Sequence, residues 1–473
     1  MLSVLKQQQG FIVKGDFLEV NENIFREYDI RGLVDRELDE ELMFAIGRAY
    51  ASFLHKKGVK KAVLGYDNRL TSEAYSKAIV KGLLSSGVKV INLGLCTSPV
   101  MYFARKHLKI DGGIMITASH NSKEFNGIKL AHGEGCIFGE DIQEILKIIQ
   151  RKDFVDGSAK EEKMDLTHDY VKNISNKVKL ARKLKVVLDC GNGTGSIVSP
   201  QLIKDLGCEV IELYCESDGT FPNHHPDPTV PETLQDLIAR VKEEKADLGI
   251  GIDGDGDRIG VVDEKGSIVW GDQLMILFSR EVLAKHQGAK ILMEVKCSQA
   301  LWEEIEKQGG KPILSKTGHS LIEAKMHEEG ALLAGEMSGH IYFGDEYFAF
   351  DDALYAAARL LRILSNSQET ISEMLATAPQ YFSTPEIRLD CSDKKKFGVV
   401  ESLKKIFKEK YKTIDIDGAR VLFPDGWALM RASNTQAKLI VRMEAKTREK
   451  LGEIKEEVYA ELKKFPEIKF TDD

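Results

Sequence analysis

From position 39 to position 116 the chain alternates helix-period and strand-like segments, and this alternation constrains the fold more than any other feature. Leu42, Ile46, Ala49, Tyr50 and Phe53 recur at helical spacing over 39–57. Lys61-Ala62-Val63-Leu64-Gly65-Tyr66 reads as a strand that runs into the polar Asp67-Asn68-Arg69. A helix over 72–86, a strand over 88–93, a helix over 98–107 and the apolar Ile114-Met115-Ile116 continue the pattern. Such a rhythm predicts a mostly parallel sheet with helices on its faces. In open α/β sheets, ligands bind outside the carboxyl ends of the strands.

At such an end stands Thr117-Ala118-Ser119-His120-Asn121, which presents Ser119. Serine attacks only when a base, a metal or a prior modification activates it. Taken alone, the same residue types also make ordinary turns and helix caps. Lys129 lies across a hairpin-like return, where its cation could face a phosphate on Ser119. Tyr28 and Arg31 occupy a short loop-like piece ahead of the first helix.

A second anchor follows the strand 247–252, which opens into Asp253-Gly254-Asp255-Gly256-Asp257-Arg258. Alternate side chains of an extended loop face one way, and the glycines let the backbone curl so that the carboxylates converge. Three such charges repel unless a cation joins them. Hard oxygen ligands imply Mg²⁺ or Ca²⁺. An EF-hand is excluded, because Arg258 takes the glycine place and the flanks read as strands. Asp189-Cys190-Gly191-Asn192-Gly193-Thr194-Gly195-Ser196 resembles a dinucleotide loop, so a Rossmann dehydrogenase is a rival. Ser196 stands where that fingerprint needs Gly or Ala, which favours a tight strand-to-helix turn. His224 and His225 sit in a proline-rich loop and read as structural. The charged stretch 151–163 lacks periodicity and reads as a linker.

Composition narrows the class. The 473 residues are 43% hydrophobic and 30% charged, as in a soluble chain of several domains. A net charge of −8 argues against a dedicated nucleic-acid binder, so an anionic substrate must meet a local basic patch. Seven cysteines without a C-x-x-C pair fit reduced thiols in the cytoplasm. No apolar run approaches membrane length, and 1–22 reads as a short N-terminal extension.

Together, the serine and aspartate loops resemble two of the four signature loops of the α-D-phosphohexomutase superfamily. The other two lie downstream in the family's order. Gly335-Glu336-Met337-Ser338-Gly339-His340 is similar to the sugar-reading loop, and Arg431-Ala432-Ser433-Asn434-Thr435, followed by Arg442, to the phosphate loop. The resemblance covers nearly the whole chain. Both downstream loops look like the phosphomannomutase/phosphoglucomutase branch, since the phosphoglucosamine branch usually has Gln where Met337 stands.

The resemblance implies three consecutive α/β/α mixed-sheet domains, 23–160, 161–263 and 264–377, and a C-terminal α+β lid, 378–473, around a central cleft. It implies a phosphoserine at Ser119 and Mg²⁺ held by Asp253, Asp255, Asp257 and a phosphate oxygen on Ser119. Arg258, Lys129, His340, Arg31 and Tyr28 would serve catalysis. His120, Lys296, His319, Glu336, Ser338, His340, Arg431, Ser433, Asn434, Thr435 and Arg442 would bind substrate. Hexose phosphates are the implied partners, without nucleic acid or membrane, with a hexose 1,6-bisphosphate as activator. The expected assembly is a monomer or homodimer. Ser122 departs from a common proline and Gln436-Ala437 from a common Thr-Pro, which bears on substrate preference. Alternatives are a phosphoglucosamine mutase, a non-catalytic sugar-phosphate binder on the same scaffold, and a metal-dependent phosphatase, against which the distal phosphate loop speaks.

Overall fold

The structure, a computed structural model, describes residues 20–434 and 436–470. Nearly all of the expected extension and the candidate Thr435 lie outside the described residues. Among those described, the strands form four sheets. The first runs Ile30–Leu33, Phe125–His132, Gly112–Ile116, Lys61–Tyr66, Lys89–Leu95 and Glu161–Lys163 in spatial order, with Gly135–Cys136 beside Phe125–His132. Lys61–Tyr66 is parallel to both neighbours and buries Ala62, Val63 and Leu64 completely. That two-sided burial matches an apolar run with helices on both faces.

The helices begin where the sequence supplies caps. Asp39 caps Glu40–Lys56 by accepting from Leu42 N at 2.8 Å. Thr97 caps Ser98–Leu108, whose second residue is proline. The expected linker 151–163 is only partly one. Helix Glu140–Arg151 ends at its start, and Glu161–Lys163 adds to the sheet edge, parallel to Lys89–Leu95. That strand is exposed along its length, held by backbone pairing and by Lys89–Glu162 and Asn92–Glu161 contacts, so no apolar period betrays it. The first sheet therefore passes the expected boundary at 160.

The second sheet runs Ile268–Val269, Ile259–Asp263, Leu248–Ile252, Lys185–Asp189 and Glu209–Leu213, and so passes the expected boundary at 263. The third runs Lys311–Ser315, Lys290–Glu294, Leu333–Gly335 and Ile341–Phe343. The fourth is antiparallel throughout its pairs and packs with helices Asp393–Lys408 and Arg448–Leu462 around Leu403, Phe407, Val441 and Val458. One apolar core joins the second and third units to the helix Ser98–Leu108 of the first, through Met101, Phe103, Tyr170, Leu274 and Leu354.

The three α/β sheets are mixed, and their antiparallel pairs carry the chemistry. The serine loop connects Gly112–Ile116 to its antiparallel neighbour Phe125–His132. The aspartate loop connects Leu248–Ile252 to Ile259–Asp263, and the sugar loop connects Leu333–Gly335 to Ile341–Phe343. In the fourth sheet, the loop after Arg431 connects Gly426–Ala432 to Lys438–Ala445. All four expected site loops are thus turns between antiparallel strands.

Candidate active site

Ser119 leaves its strand in a left-handed conformation, φ 50°, that a residue with a side chain seldom adopts. Its N–H donates to Thr117 Oγ1 at 2.8 Å, which steadies the turn. Its Oγ donates to Asp253 Oδ2 at 2.8 Å and lies 3.0 Å from His120 Nδ1. Burial, followed by the charges of Arg258 and Arg31, lowers the His120 pKa well below its usual range, so the ring is neutral.

Asp253, Asp255 and Asp257 are fully buried and offer one oxygen each within 4.8 Å of one another. Asp253 Oδ1 accepts the backbone N–H groups of Gly256, Asp257 and Arg258 at 2.9, 3.0 and 3.2 Å. Lys129, opposite Met115 across the antiparallel return, donates to Asp255 Oδ2 at 2.7 Å and to Asp257 Oδ2. Burial, reinforced by Asp257 and Asp255, pushes the Asp253 carboxyl well up. Asp255 Oδ1 and Asp257 Oδ1 are buried without a hydrogen-bond partner. Such orphaned hard oxygens are costly unless a cation meets them, so this donor set fits a divalent ion.

The aspartate loop has no room for a side chain at Gly254. A Cβ on Gly254 would fall 2.4 Å from Ser119 O. A Cβ on Gly193 would fall 2.8 Å from Gly254 Cα. Thr194 N and Oγ1 both donate to Gly254 O at 2.9 Å. The glycine-rich stretch 191–196 is therefore the floor beneath the aspartate loop, and it continues into a short 3₁₀ turn, Thr194–Ile197. His224 Nε2 lies 3.1 Å from Asp189 Oδ2, and His224 Nδ1 faces His225 O at 2.7 Å, so that histidine is spent within the loop.

Arg258 reaches across to the third unit, where its Nε donates to His340 Nε2 at 2.9 Å and the two backbones form a single bridge. His340 Nδ1 faces Asp351 Oδ2 at 2.8 Å. Burial disfavours the imidazolium, but the nearby Asp257 and Asp351 carboxylates outweigh it and raise the His340 pKa. His319 stacks on His340 at 5.7 Å and 28°, and Tyr28 meets His319 edge-on at 5.6 Å. Burial takes His319 down to about 4, and burial also keeps the Tyr28 phenol un-ionised. Arg31 Nη1 donates to Asn121 Oδ1 at 3.0 Å and Nη2 pairs with Asp29 at 2.6 Å.

Glu336 anchors the sugar loop by accepting from Gly318 N at 2.7 Å and Ser338 Oγ at 2.9 Å. Lys296 lies 3.1 Å from Glu386 and 3.6 Å from Glu294. Burial lifts Glu294 to about 7 against the pull of Lys296, and Glu294 accepts Met337 N at 2.8 Å and Thr317 Oγ1 at 2.7 Å. Arg431 Nε donates to Asp417 at 2.9 Å while its buried Nη2 has no partner. Asn434 hydrogen-bonds Tyr28. Lys396 donates to Ser433 O at 2.5 Å and to Gln436 O at 2.9 Å, and so shapes the loop.

Ser119, His120, Lys129, the aspartates, Arg258, Arg31 and His340 thus form one cluster. Tyr28, Lys296, His319, Glu336, Ser338, Arg431, Ser433 and Asn434 form its continuation. Arg442 stands apart. Its guanidinium donates to Asp272 at 3.1 Å, to Glu444 at 3.2 Å and to Lys296 O, where it ties the fourth sheet to the third. Sequence reading passed over Arg69, Glu294, Asp351 and Lys396. Arg69 alone had a usable signal, a polar loop at the carboxyl end of a buried strand.

Four family models match consecutive stretches of the chain. They are the phosphoglucomutase/phosphomannomutase alpha/beta/alpha domains I, II and III, over residues 22–156, 168–266 and 270–382, and the C-terminal domain over 386–461. The chain belongs to the phosphoglucomutase/phosphomannomutase family. It is accordingly a phosphotransferase of the mutase kind. It is 45% identical over 436 residues to a phosphomannomutase/phosphoglucomutase of Pseudomonas putida, covering 92% of this chain and 94% of the relative. It is 43% identical over 456 residues to a phosphoglucomutase of Neisseria gonorrhoeae, covering 95% and 98%. A crystal structure of a family protein from Burkholderia thailandensis superposes with a TM-score of 0.90 at 40% identity, over 94% of this chain and 98% of that one. The Rossmann dehydrogenase reading ends here. Among the described residues, no helix is long and apolar enough to cross a membrane.

Proposed function

We propose that this mutase interconverts hexose 1-phosphate and hexose 6-phosphate, with mannose and glucose as its sugars, through a phosphoserine at Ser119. The observation that carries the reading is Ser119 Oγ, 2.8 Å from a buried carboxylate cluster and separate from a second, guanidinium-bearing loop. One end prepares a phosphoryl group for transfer, and the other suits the phosphate that stays. A phosphatase would need no such second loop.

In this reading Asp253, Asp255 and Asp257 would hold Mg²⁺ beside the Ser119 phosphate. When bound, the ion neutralises charge and polarises phosphorus. Arg431, Ser433 and Asn434, with Thr435, hold the distal phosphate, and Lys296 adds a cation near Glu294 and Glu386. Glu336 and Ser338 hydrogen-bond the sugar hydroxyls. The free hydroxyl attacks the phosphorus on Ser119, the P–Oγ bond breaks, and the hydroxyl proton passes to a neighbouring base. Arg258 and Lys129 stabilise the charge of the transferring group, since such transfer demands positioning and electrostatics above all. Tyr28, un-ionised, donates and does not act as the base. The bound hexose 1,6-bisphosphate turns over and returns its other phosphate to Ser119, so free bisphosphate acts as activator.

Phosphorus NMR of mannose 1-phosphate, glucose 1-phosphate and glucosamine 1-phosphate in separate tubes, with Mg²⁺ and the matching bisphosphate, tests this. The expected result is 6-phosphate from mannose and glucose without inorganic phosphate. Inorganic phosphate as the main product would make it a phosphatase. Conversion of glucosamine alone would move it to the phosphoglucosamine branch. Calorimetric binding without turnover would make it a binding protein.

A further inference from the structure

Arg69 takes no part in the reaction derived above, yet the serine loop is built on it. It follows the strand Lys61–Tyr66 and is 3% exposed. A guanidinium is planar and always charged, with its donors on fixed vectors. Here Nη2 donates to Ser119 O at 2.7 Å and to Asn121 O at 2.6 Å. Nη1 donates to Ser122 O at 2.7 Å and to Phe125 O at 3.0 Å. Nε pairs with Asp67 Oδ2 at 3.1 Å, and Ser72 Oγ donates to Asp67 Oδ1 at 2.5 Å. The accepting carbonyls run from the reactive serine to the first residue of the returning strand Phe125–His132.

The second unit closes on the other side. The Phe221 ring centre lies 5.1 Å from the guanidinium carbon. Gly219 packs so closely that a Cβ there would fall 2.9 Å from Arg69 Cα. Ser119 holds a left-handed turn, φ 50°, that a residue with a side chain adopts at a cost, so something must hold that turn. Its carbonyl is gripped between Arg69 and Gly254, which fixes the backbone from which Cβ projects, and Asp253 then takes the Oγ hydrogen bond.

We propose that Arg69 is a positioning residue for phosphoryl transfer, holding the Ser119 turn so that Oγ stays aligned with the aspartate loop. The proposal rests on the reading of Ser119 as the phosphorylated residue. Lysine has no planar fork and cannot meet all these acceptors at once, and methionine meets none. An ångström of misplacement is enough to cost on the order of 10²-fold in rate. Arg69 stands in the first unit, away from Arg431 and Ser433, so substrate affinity is left alone.

Arg69→Met, Arg69→Lys and Phe221→Leu are compared with wild type in Mg²⁺ and glucose 1,6-bisphosphate. The readouts are kcat, KM for hexose 1-phosphate, and the rate at which Ser119 gains phosphate, followed by intact mass. Arg69→Met is expected to lose about 10- to 100-fold in kcat and in the phosphorylation rate, with KM within about twofold of wild type. Arg69→Lys is expected to recover part of that loss, and Phe221→Leu to show a smaller loss in the same two rates. Wild-type rates in a folded Arg69→Met, or a loss confined to KM, would overturn the proposal. If Arg69→Met does not fold, unchanged phosphorylation rates in both other variants would overturn it. A wild-type enzyme that turns over without Ser119 ever gaining phosphate would instead overturn the phosphoserine reading beneath it.

Discussion

Ser119 Oγ and Asp253 Oδ2 stand 2.8 Å apart although 134 positions separate them in the chain. The hydroxyl faces the one aspartate whose other oxygen is already filled by the N–H groups of Gly256, Asp257 and Arg258. Replacing the serine removes the proposed acceptor of the transferred phosphate but leaves the aspartate loop in place. Ser119→Ala is expected to cut turnover by about 10³-fold or more while retaining hexose-phosphate binding. Coupled assays of turnover, with calorimetry for binding, check both halves.

The orphaned oxygens of Asp255 and Asp257 make the folded protein a better ligand for a divalent cation than its unfolded chain. Chelation is expected to abolish turnover and lower the melting temperature, and Mg²⁺ to restore both. A free ion at a hundredfold excess over its Kd stabilises by about 2.7 kcal/mol. Asp255→Asn is expected to need more Mg²⁺ for half-maximal rate. Melting curves across a magnesium series supply the measurement.

Arg431 and Arg442 carry the same charge in the same sheet but have different neighbours. Arg431 keeps a buried Nη2 without a partner, whereas both terminal nitrogens of Arg442 are engaged, by Asp272, Lys296 O and Glu444. Arg431→Met is expected to raise KM about 10- to 100-fold, as for loss of a charge-assisted pair. Arg442→Met would take from the buried Asp272 and Glu444 their ion-pair partner and leave them only the donors Ser298, Gln299 and Trp427, at a cost of up to about 3–5 kcal/mol in stability. Steady-state kinetics beside chemical denaturation separates the two.

Glu323 faces the first unit from the helix His319–Glu329 and accepts Cys136 N at 3.0 Å. Burial, with help from Asp351, lifts its carboxyl to about 8. A free Glu titrates near 4.3. Between those values the unfolded chain sheds a proton that the folded chain keeps, so stability falls as pH rises. Glu323→Gln keeps an acceptor for Cys136 and loses the titration. The variant is expected to show a flatter fall in melting temperature from pH 5 to 8 than wild type. Parallel curves would remove Glu323 from the account.

The residues that were legible in the sequence are those whose signal is local. Ser119 and the three aspartates stand in short strings where an apolar strand meets a turn, and turn chemistry is written within a few residues. Helix ends were legible for the same reason, as Asp39 and Thr97 show. Arg69 showed only its place, a polar loop after a buried strand, and not the carbonyls some fifty positions on that it holds, and Asp351 had no local signal for its contact with His340. Nothing local separates an arginine with several carbonyls to hold from one in water. Glu161–Lys163 was read as linker because an edge strand exposed on both faces leaves no alternation to detect. Arg442 was visible as a charge, but its strand, Lys438–Ala445, is buried on both sides, and the sequence does not say which carboxylates wait there.

Gly193 and Gly254 meet backbone to backbone, and Gly254 meets Ser119 O in the same way. A glycine pattern that reads as a cofactor signature thus records contact between two pieces of one chain. It also makes these positions a sensitive historical gauge. The apolar core serves stability whatever the chemistry. The clearance between these loops brings the serine to the carboxylates proposed to hold the metal. A descendant that retained the architecture but abandoned the chemistry would be free to let these loops part and admit a methyl group at either glycine.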